Sequence, residues 1–207
     1  EKASNIHHYV KSPEIRKRNW KLRASGDLWP NVSPNKGHEA LAGLGSRLHL
    51  LITQNVDGLH LTAGNVNVHE LHGSIRQASC LECGQVSMMD EIIERVRHGE
   101  NPPICKDFEG QPCNGLIKPT AVFFGEGLPT RPWTSSVDKC KETSLMIVVG
   151  SSLQVSPANS LPDVALKTGS DLAIIDLLDT PFDSRANLKI QDRAVHVAEL
   201  LEAFLDL

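Results

Sequence analysis

"LHLLITQN", residues 48–55, is a short apolar run, unbroken except for His49, that closes on polar residues. A surface helix would interrupt its apolar positions every three or four residues, and a half-buried strand would alternate. A continuous run of this length suits a strand covered on both faces, as in a parallel sheet. The pattern recurs in "SLMIVVGSS" (144–152), which ends on a glycine and two serines, and in "LAIIDLLD" (172–179), which ends on acidic residues. Helical spacing lies between and around the runs. Asn35-Lys36-Gly37 precedes Leu41, Leu44 and Leu48 on one face, and "SPANSLPDVALKTG" holds a helix from Pro157 to Lys167. "AVHVAELLEAFL" (194–205) places Val197, Leu200, Leu201 and Phe204 together. Strands alternating with helices of this length predict parallel βαβ units, hence an α/β sheet covered on both sides.

The bulk composition fits one large domain carrying a small insertion: 207 residues, 40% hydrophobic, 22% charged, mean hydropathy −0.21. No run approaches the roughly 18 apolar residues of a membrane helix, so no membrane partner is expected. A net charge of −4 gives no electrostatic ground for nucleic acid binding. The basic stretch "EIRKRNWKLR" (14–23) reads as a solvated helix face. The chain opens at Glu1 with neither an initiator methionine nor a secretory signal, so a start upstream and a cytoplasmic setting (mitochondrial if the source is eukaryotic) are expected.

Between Gly73 and Lys118 the texture changes. Four of the five cysteines, Cys80, Cys83, Cys105 and Cys113, fall in this window, and Cys140 stands apart. They bracket "SMMDEIIERVRHG", a helix with Met89, Ile92, Ile93 and Val96 facing inward, Ser87 as N-cap and Gly99 as its stop. A chain with an adequate core has little need of disulfide staples, and two close pairs suit a tetrahedral zinc ion. Cys80-Leu81-Glu82-Cys83-Gly84 is the ordinary knuckle, whereas seven residues separate Cys105 from Cys113. Free or redox-active thiols are the alternative. Four sulfur ligands would leave no open position, so the zinc would be structural and His72 would not be a ligand. Residues 73–118 thus read as a small module inserted into a domain made of 1–72 and 119–207, with the helical segment 1–34 a candidate for the smaller part.

Five motifs then occur in order: "TQNVDGLH" (53–60), "ELHGS" (70–74), the Cys-x-x-Cys, "KPTAVFFGEGLP" (118–129) and "VVGSSLQVSPA" (148–158). Together they resemble the sirtuins, NAD-dependent protein lysine deacylases, from Pro34 to the C-terminus. The resemblance implies a Rossmann-like parallel sheet domain with an inserted zinc-binding module, NAD and zinc as cofactors, and an acylated-lysine protein or peptide as substrate. It makes His72 the catalytic base that activates a ribose hydroxyl, a role suited to an imidazole with an ordinary pKa of about 6.5. Asn55 and Asp57 would handle the nicotinamide carboxamide. Gln54, Val56, Gly150, Ser151, Ser152, Asp176 and Ala194 would complete the NAD site. Val122, Phe123, Phe124 and Gly125 would form the strand that pairs with the substrate peptide, with Val155 beside it.

Two departures qualify the resemblance. The family's glycine-rich phosphate loop has no counterpart here, since Gly43-x-Gly45 follows a helix and not a strand. An N-terminal portion upstream of Glu1 is the expected reason, with a degenerate homologue as the alternative. Asp176 also stands where the family usually has asparagine, and a strand-end carboxylate still accepts from ribose hydroxyls. No Tyr-x-x-Arg pair precedes "PNKGH", which disfavours dicarboxylic acyl groups. Competing readings are mono-ADP-ribosyl transfer, NAD hydrolysis, or a catalytically degenerate binding module.

Overall fold

The computed structural model describes residues 4–26, 32–106 and 113–205, the last four by backbone alone. The Phe204 side chain and the acidic loop 107–112 therefore lie outside the described residues. In chain order the elements are α1 (Ile6–Lys11), α2 (Pro13–Ala24), α3 (Lys36–Gly43), β1 (Leu51–Thr53), α4 (Leu59–Thr62), β2 (Val68–Glu70), β3 (Gln77–Cys80) and β4 (Val86–Met88). There follow α5 (Met89–Arg97), β5 (Ile117–Pro119), α6 (Thr130–Glu142), β6 (Leu145–Val149), α7 (Leu161–Lys167), β7 (Asp171–Ile175), β8 (Leu188–Ile190) and α8 (Val197–Leu205). The fold is Rossmann-like α/β with parallel sheets: β1 pairs with β2, and β6, β7 and β8 pair in that order. A separate antiparallel sheet runs β4-β3-β5. Among the described residues, no helix is long and apolar enough to cross a membrane.

Contacts divide the chain into two compact units. The first holds Glu1–Val32, Asn55–Gly58 and His72–Leu128; the second holds Ser33–Gln54, Leu59–Leu71 and Pro129–Leu207. The N-terminal helices, a candidate for the smaller part, are grouped with the cysteine-bearing part, and so is the 119–128 segment, which was expected in the larger domain.

In the second unit, Leu172 and Ile174 of β7 are fully buried, with β6 on one side and β8 on the other. Ile175, Val197 and Leu201 form a further cluster against which Leu41, Leu44 and Ile190 pack. Asn35 caps α3 reciprocally with His38: Asn35 Oδ1 accepts from the His38 N–H at 3.2 Å, and His38 Nδ1 accepts from the Asn35 N–H at 3.3 Å. That helix ends at Gly43, and Gly45 turns the chain with φ +54°, so Leu48 lies beyond the helical face assigned to it. The next helix also starts later than expected, with a tight 3-10 turn over Ala158–Ser160 preceding α7. The larger correction concerns β6, expected to be buried throughout. Leu145 and Ile147 are 49% and 41% exposed, because among the described residues β6 pairs only with β7 and β1 only with β2. The parallel strands make two sheets, each with an open edge.

In the first unit, Trp20, Ala78, Met89, Ile92, Val96 and Ile117 form the core, with α2 laid against α5. Each buried aliphatic side chain of this kind contributes about 1.5–3 kcal/mol. Ser87 does not cap α5. It lies in β4, whose last residue Met88 occupies the cap position without a side-chain bond, and Asp90 and Glu91 in the first turn complement the helix dipole instead. Gly99 stops the helix as expected, at φ +96°. The basic stretch of α2 is solvated at Lys17, Arg18 and Lys21, while Asn19 and Trp20 turn inward. Tyr9 ties the N-terminal helix to the sheet. Its buried hydroxyl donates to the Ile117 carbonyl at 2.6 Å, and its ring meets Phe123 edge-on at 5.4 Å. Replacing Tyr9 by Phe removes that donor and is expected to lower the unfolding free energy by about 1–2 kcal/mol. Urea denaturation monitored by tryptophan fluorescence would measure the change, with the slope of the transition unaltered.

Candidate functional site

Residues predicted for the site occur in both units. In the first unit, the turn His72–Arg76 is held by two other segments. The Val122 N–H donates to the His72 carbonyl at 2.8 Å, the Ala121 N–H to the Ser74 carbonyl at 3.0 Å, and the Thr120 hydroxyl to the same Ser74 carbonyl at 2.9 Å. On its other side, the Ile75 N–H donates to the Val56 carbonyl at 2.8 Å, and Arg76 Nε to the Asp57 carbonyl at 2.8 Å. The two glycines in these segments are forced. Gly73 sits at φ +68°, where a Cβ would lie 2.1 Å from the Thr120 carbonyl oxygen, and Gly58, at φ +69°, has Arg76 Nε 2.6 Å from the same position. The backbone therefore brings Asn55, Val56, Asp57, His72 and Val122 together through one five-residue turn.

Val122 to Gly125 is not the strand that was expected. Only Phe124 forms a bridge, to Asn5, and Gly125 turns at φ +87°. The Phe124 N–H donates to the Ser4 carbonyl at 2.9 Å, and its carbonyl accepts from the Ile6 N–H at 3.1 Å, so the N-terminal segment already occupies that edge. Phe123 is buried, whereas the Phe124 ring is 70% exposed. One phenylalanine is core and one is surface.

The four cysteines of this unit converge. All four Sγ atoms lie within 4.8 Å of one another, with Cys80 to Cys113 at 3.6 Å and Cys83 to Cys105 at 3.7 Å, and all are free thiols. Local backbone explains the convergence. The Gly84 N–H closes the knuckle onto the Cys80 carbonyl at 3.1 Å, and the Cys105 N–H donates to the Gly115 carbonyl at 2.8 Å. A side chain at Gly115 would have its Cβ 2.4 Å from Cys80 Sγ. Burial pushes the Cys80 thiol up, but the N–H groups of Cys83 and Glu82 and the thiols of Cys83 and Cys113 outweigh it, bringing Cys80 down to about 7. Cys105 goes the other way, to about 12, through burial and then its sulfur neighbours. The cluster favours negative charge on Cys80 first. His72 is not among the converging ligands.

The second unit carries a cavity of about 450 Å³ at the carboxyl ends of β6 and β7. Gly150, Ser152, Asp176 and Ala194, all predicted from sequence, line it. Gly150 turns at φ +60° with its N–H donating to the Ile175 carbonyl, and a Cβ there would meet the Ala194 Cβ at 2.9 Å. Asp176 Oδ1 accepts from the Leu178 N–H at 2.8 Å, which shapes the loop after β7. Ser151 is not among the lining residues; its hydroxyl accepts from Gln54 Nε2 and from the Leu153 N–H, both at 3.4 Å. Val155 is exposed. Gln154, Leu177, Leu178, Asp179 and Arg193 also line the cavity and were missed, since single residues of mixed type in loops carry no distinctive pattern.

Comparison with known proteins matches this architecture. Residues 1–157 match the Sir2 family model. An NAD-dependent protein deacetylase of Thermodesulfovibrio yellowstonii is 39% identical over 178 residues, 85% of this chain and 66% of the relative. An NAD-dependent protein deacylase of Mycobacterium tuberculosis is 40% identical over 170 residues, 81% of this chain and 69% of that protein. A solved structure of Sir2 bound to acetylated peptide superposes with a TM-score of 0.86 at 33% identity, covering 99% of this chain and 84% of the other. This chain spans just under two thirds, 66%, of the length of the deacetylase from Thermodesulfovibrio. A family match across three quarters of the sequence, relatives at this identity and a shared architecture lead to one conclusion: the chain belongs to the Sir2 family.

Proposed function

We propose that this protein is an NAD-dependent protein lysine deacylase that transfers the acyl group to ADP-ribose and releases nicotinamide. One observation carries the reading: the Val122 N–H to His72 carbonyl bond, which ties the candidate base to the candidate peptide-docking segment. The relatives' names, deacetylase and deacylase, point the same way.

NAD would rest with its adenosine side in the cavity of the second unit. The volume, about 450 Å³, lies in the range of small-molecule sites, and Gly150 allows close backbone approach. Asp176 would accept from ribose hydroxyls through the oxygen that Leu178 does not occupy. When bound, NAD supplies the glycosidic bond to nicotinamide and the ribose that receives the acyl group. Asn55 and Asp57 would hold the carboxamide, as a donor and an acceptor matched to a planar amide. His72 would take the proton from a ribose hydroxyl at an imidazole nitrogen, a role that typically supplies about 10²–10⁴-fold in rate.

Zinc fits the cysteine cluster. Four sulfurs about 2.3 Å from a central ion would form a tetrahedron with edges of about 3.8 Å, close to the two observed separations of 3.6 and 3.7 Å. Its role would be structural, tying β3 to Cys105 and Cys113. Cysteines kept reduced as ligands of a metal suit a reducing compartment such as the cytoplasm.

His72→Ala is expected to abolish deacylation of an acyl-lysine peptide, with the circular dichroism spectrum and metal content unchanged. Turnover retained in that variant would refute the assignment. Gly73→Ala drives a methyl into the Thr120 carbonyl and is expected to cost about 1–3 kcal/mol of stability, read as a lowered denaturation midpoint together with lost turnover. Cys80→Ser should lose zinc, measured by atomic emission, and melt at lower temperature, because metal binding and folding are coupled. A zinc-replete Cys80→Ser protein of unchanged stability would overturn the ligand set.

A further inference from the structure

An ion pair inside the segment Lys118–Glu126 serves neither the cysteine cluster nor the candidate base. The Lys118 side chain is buried, and its ammonium donates to the Pro119 carbonyl at 2.6 Å and the Ala121 carbonyl at 2.8 Å while lying 3.0 Å from Glu126 Oε2. Its three protons thus meet three oxygen acceptors. The same ammonium stands 4.4 Å from the centre of the Phe123 ring, whose other neighbour is the Tyr9 ring. Glu126 Oε2 also accepts from the Phe123 N–H, at 2.6 Å.

The consequence is a complete commitment of backbone donors. The N–H of Ala121 goes to Ser74, that of Val122 to His72, that of Phe123 to Glu126 and that of Phe124 to Ser4. Gly125 is the next residue in line, and among the described residues its N–H has no acceptor. Of the four committed donors, only that of Phe123 is held by a side chain, and that side chain depends on Lys118. A half-buried carboxylate without its cation is costly and turns outward to water. The Phe123 N–H would then be released, and the segment would offer two donors, those of Phe123 and Gly125 two residues apart, and so two registers, to an incoming strand.

We propose that the Lys118–Glu126 pair is a positioning device for substrate docking, fixing the register of Phe123–Gly125 so that an acyl-lysine peptide meets the Gly125 edge alone. This rests on the deacylase reading. Neither residue touches the reacting atoms; both act through the Phe123 backbone.

The test compares Glu126→Gln, which keeps the shape and so the fold, and Lys118→Met with the intact wild-type protein. The measurements are nicotinamide release with an acetyl-lysine peptide and hydrogen exchange at the Phe123 amide. The peptide KM is expected to rise about tenfold, the scale of one lost hydrogen bond to a charged group, with the KM for NAD unchanged. The Phe123 amide should exchange faster in both variants, and Lys118→Arg, which keeps the charge, should recover part of the peptide KM. An unchanged peptide KM, or an equal rise for peptide and NAD, overturns the positioning role while leaving the deacylase reading in place. A wild-type protein that releases no nicotinamide in response to the peptide overturns both.

Discussion

The contact between Gly73 and the Thr120 carbonyl is the constraint on which the first unit depends. No side chain fits in that space, so the His72–Ser74 turn can lie directly against the segment after β5, and three hydrogen bonds form there at 2.8–3.0 Å. The same turn reaches Val56 and Asp57 on its far side. A single left-handed residue therefore joins a strand-end loop, an imidazole and a candidate docking segment that are far apart in sequence. Glycine adopts this conformation without strain, and the hydrogen bonds on either side of the turn hold it there.

The cysteine cluster acts at one remove from that turn. It brings β3 together with Cys105 and Cys113, and β3 pairs with β5, which contains Lys118 and leads straight into Thr120. Tyr9 adds a second anchor to β5 from the N-terminal helix. Four thiols and one phenol thus fix the strand whose end presents the docking segment. This accounts for the N-terminal helices packing with the cysteine-bearing unit rather than with the parallel sheets.

Much of the fold was legible from sequence because apolar runs and helical spacing report which faces are buried. Leu172 and Ile174 lie in the core as their run required, and Val197 and Leu201 face inward from α8. Lateral pairing leaves no such trace. "SLMIVVGSS" looks the same whether β6 has one neighbour or two, so its open edge could not be read. Ser87 had the chemistry of a helix cap, but cross-strand pairing with Ala78 claimed it for β4. In the candidate site, Cys80, Cys83, Cys105 and Cys113 were legible by type and spacing, and their thiols converge. The Lys118–Glu126 pair was not, because a lysine eight residues from a glutamate has no characteristic period, and only the fold back through Phe123 makes them neighbours. Val122 to Gly125 read as a strand, whereas only Phe124 makes a bridge, to Asn5, so that one edge of the segment is already paired.

Among the described residues, the side of β6 away from β7 has no partner strand. Leu145 and Ile147 stand beside backbone amides and carbonyls that have no ladder partner on that side among the described residues. Such a border is a template for any extended segment, including the matching border of another molecule. A segment that paired there would cover both side chains as it satisfied those groups, so the gain would be apolar as much as polar.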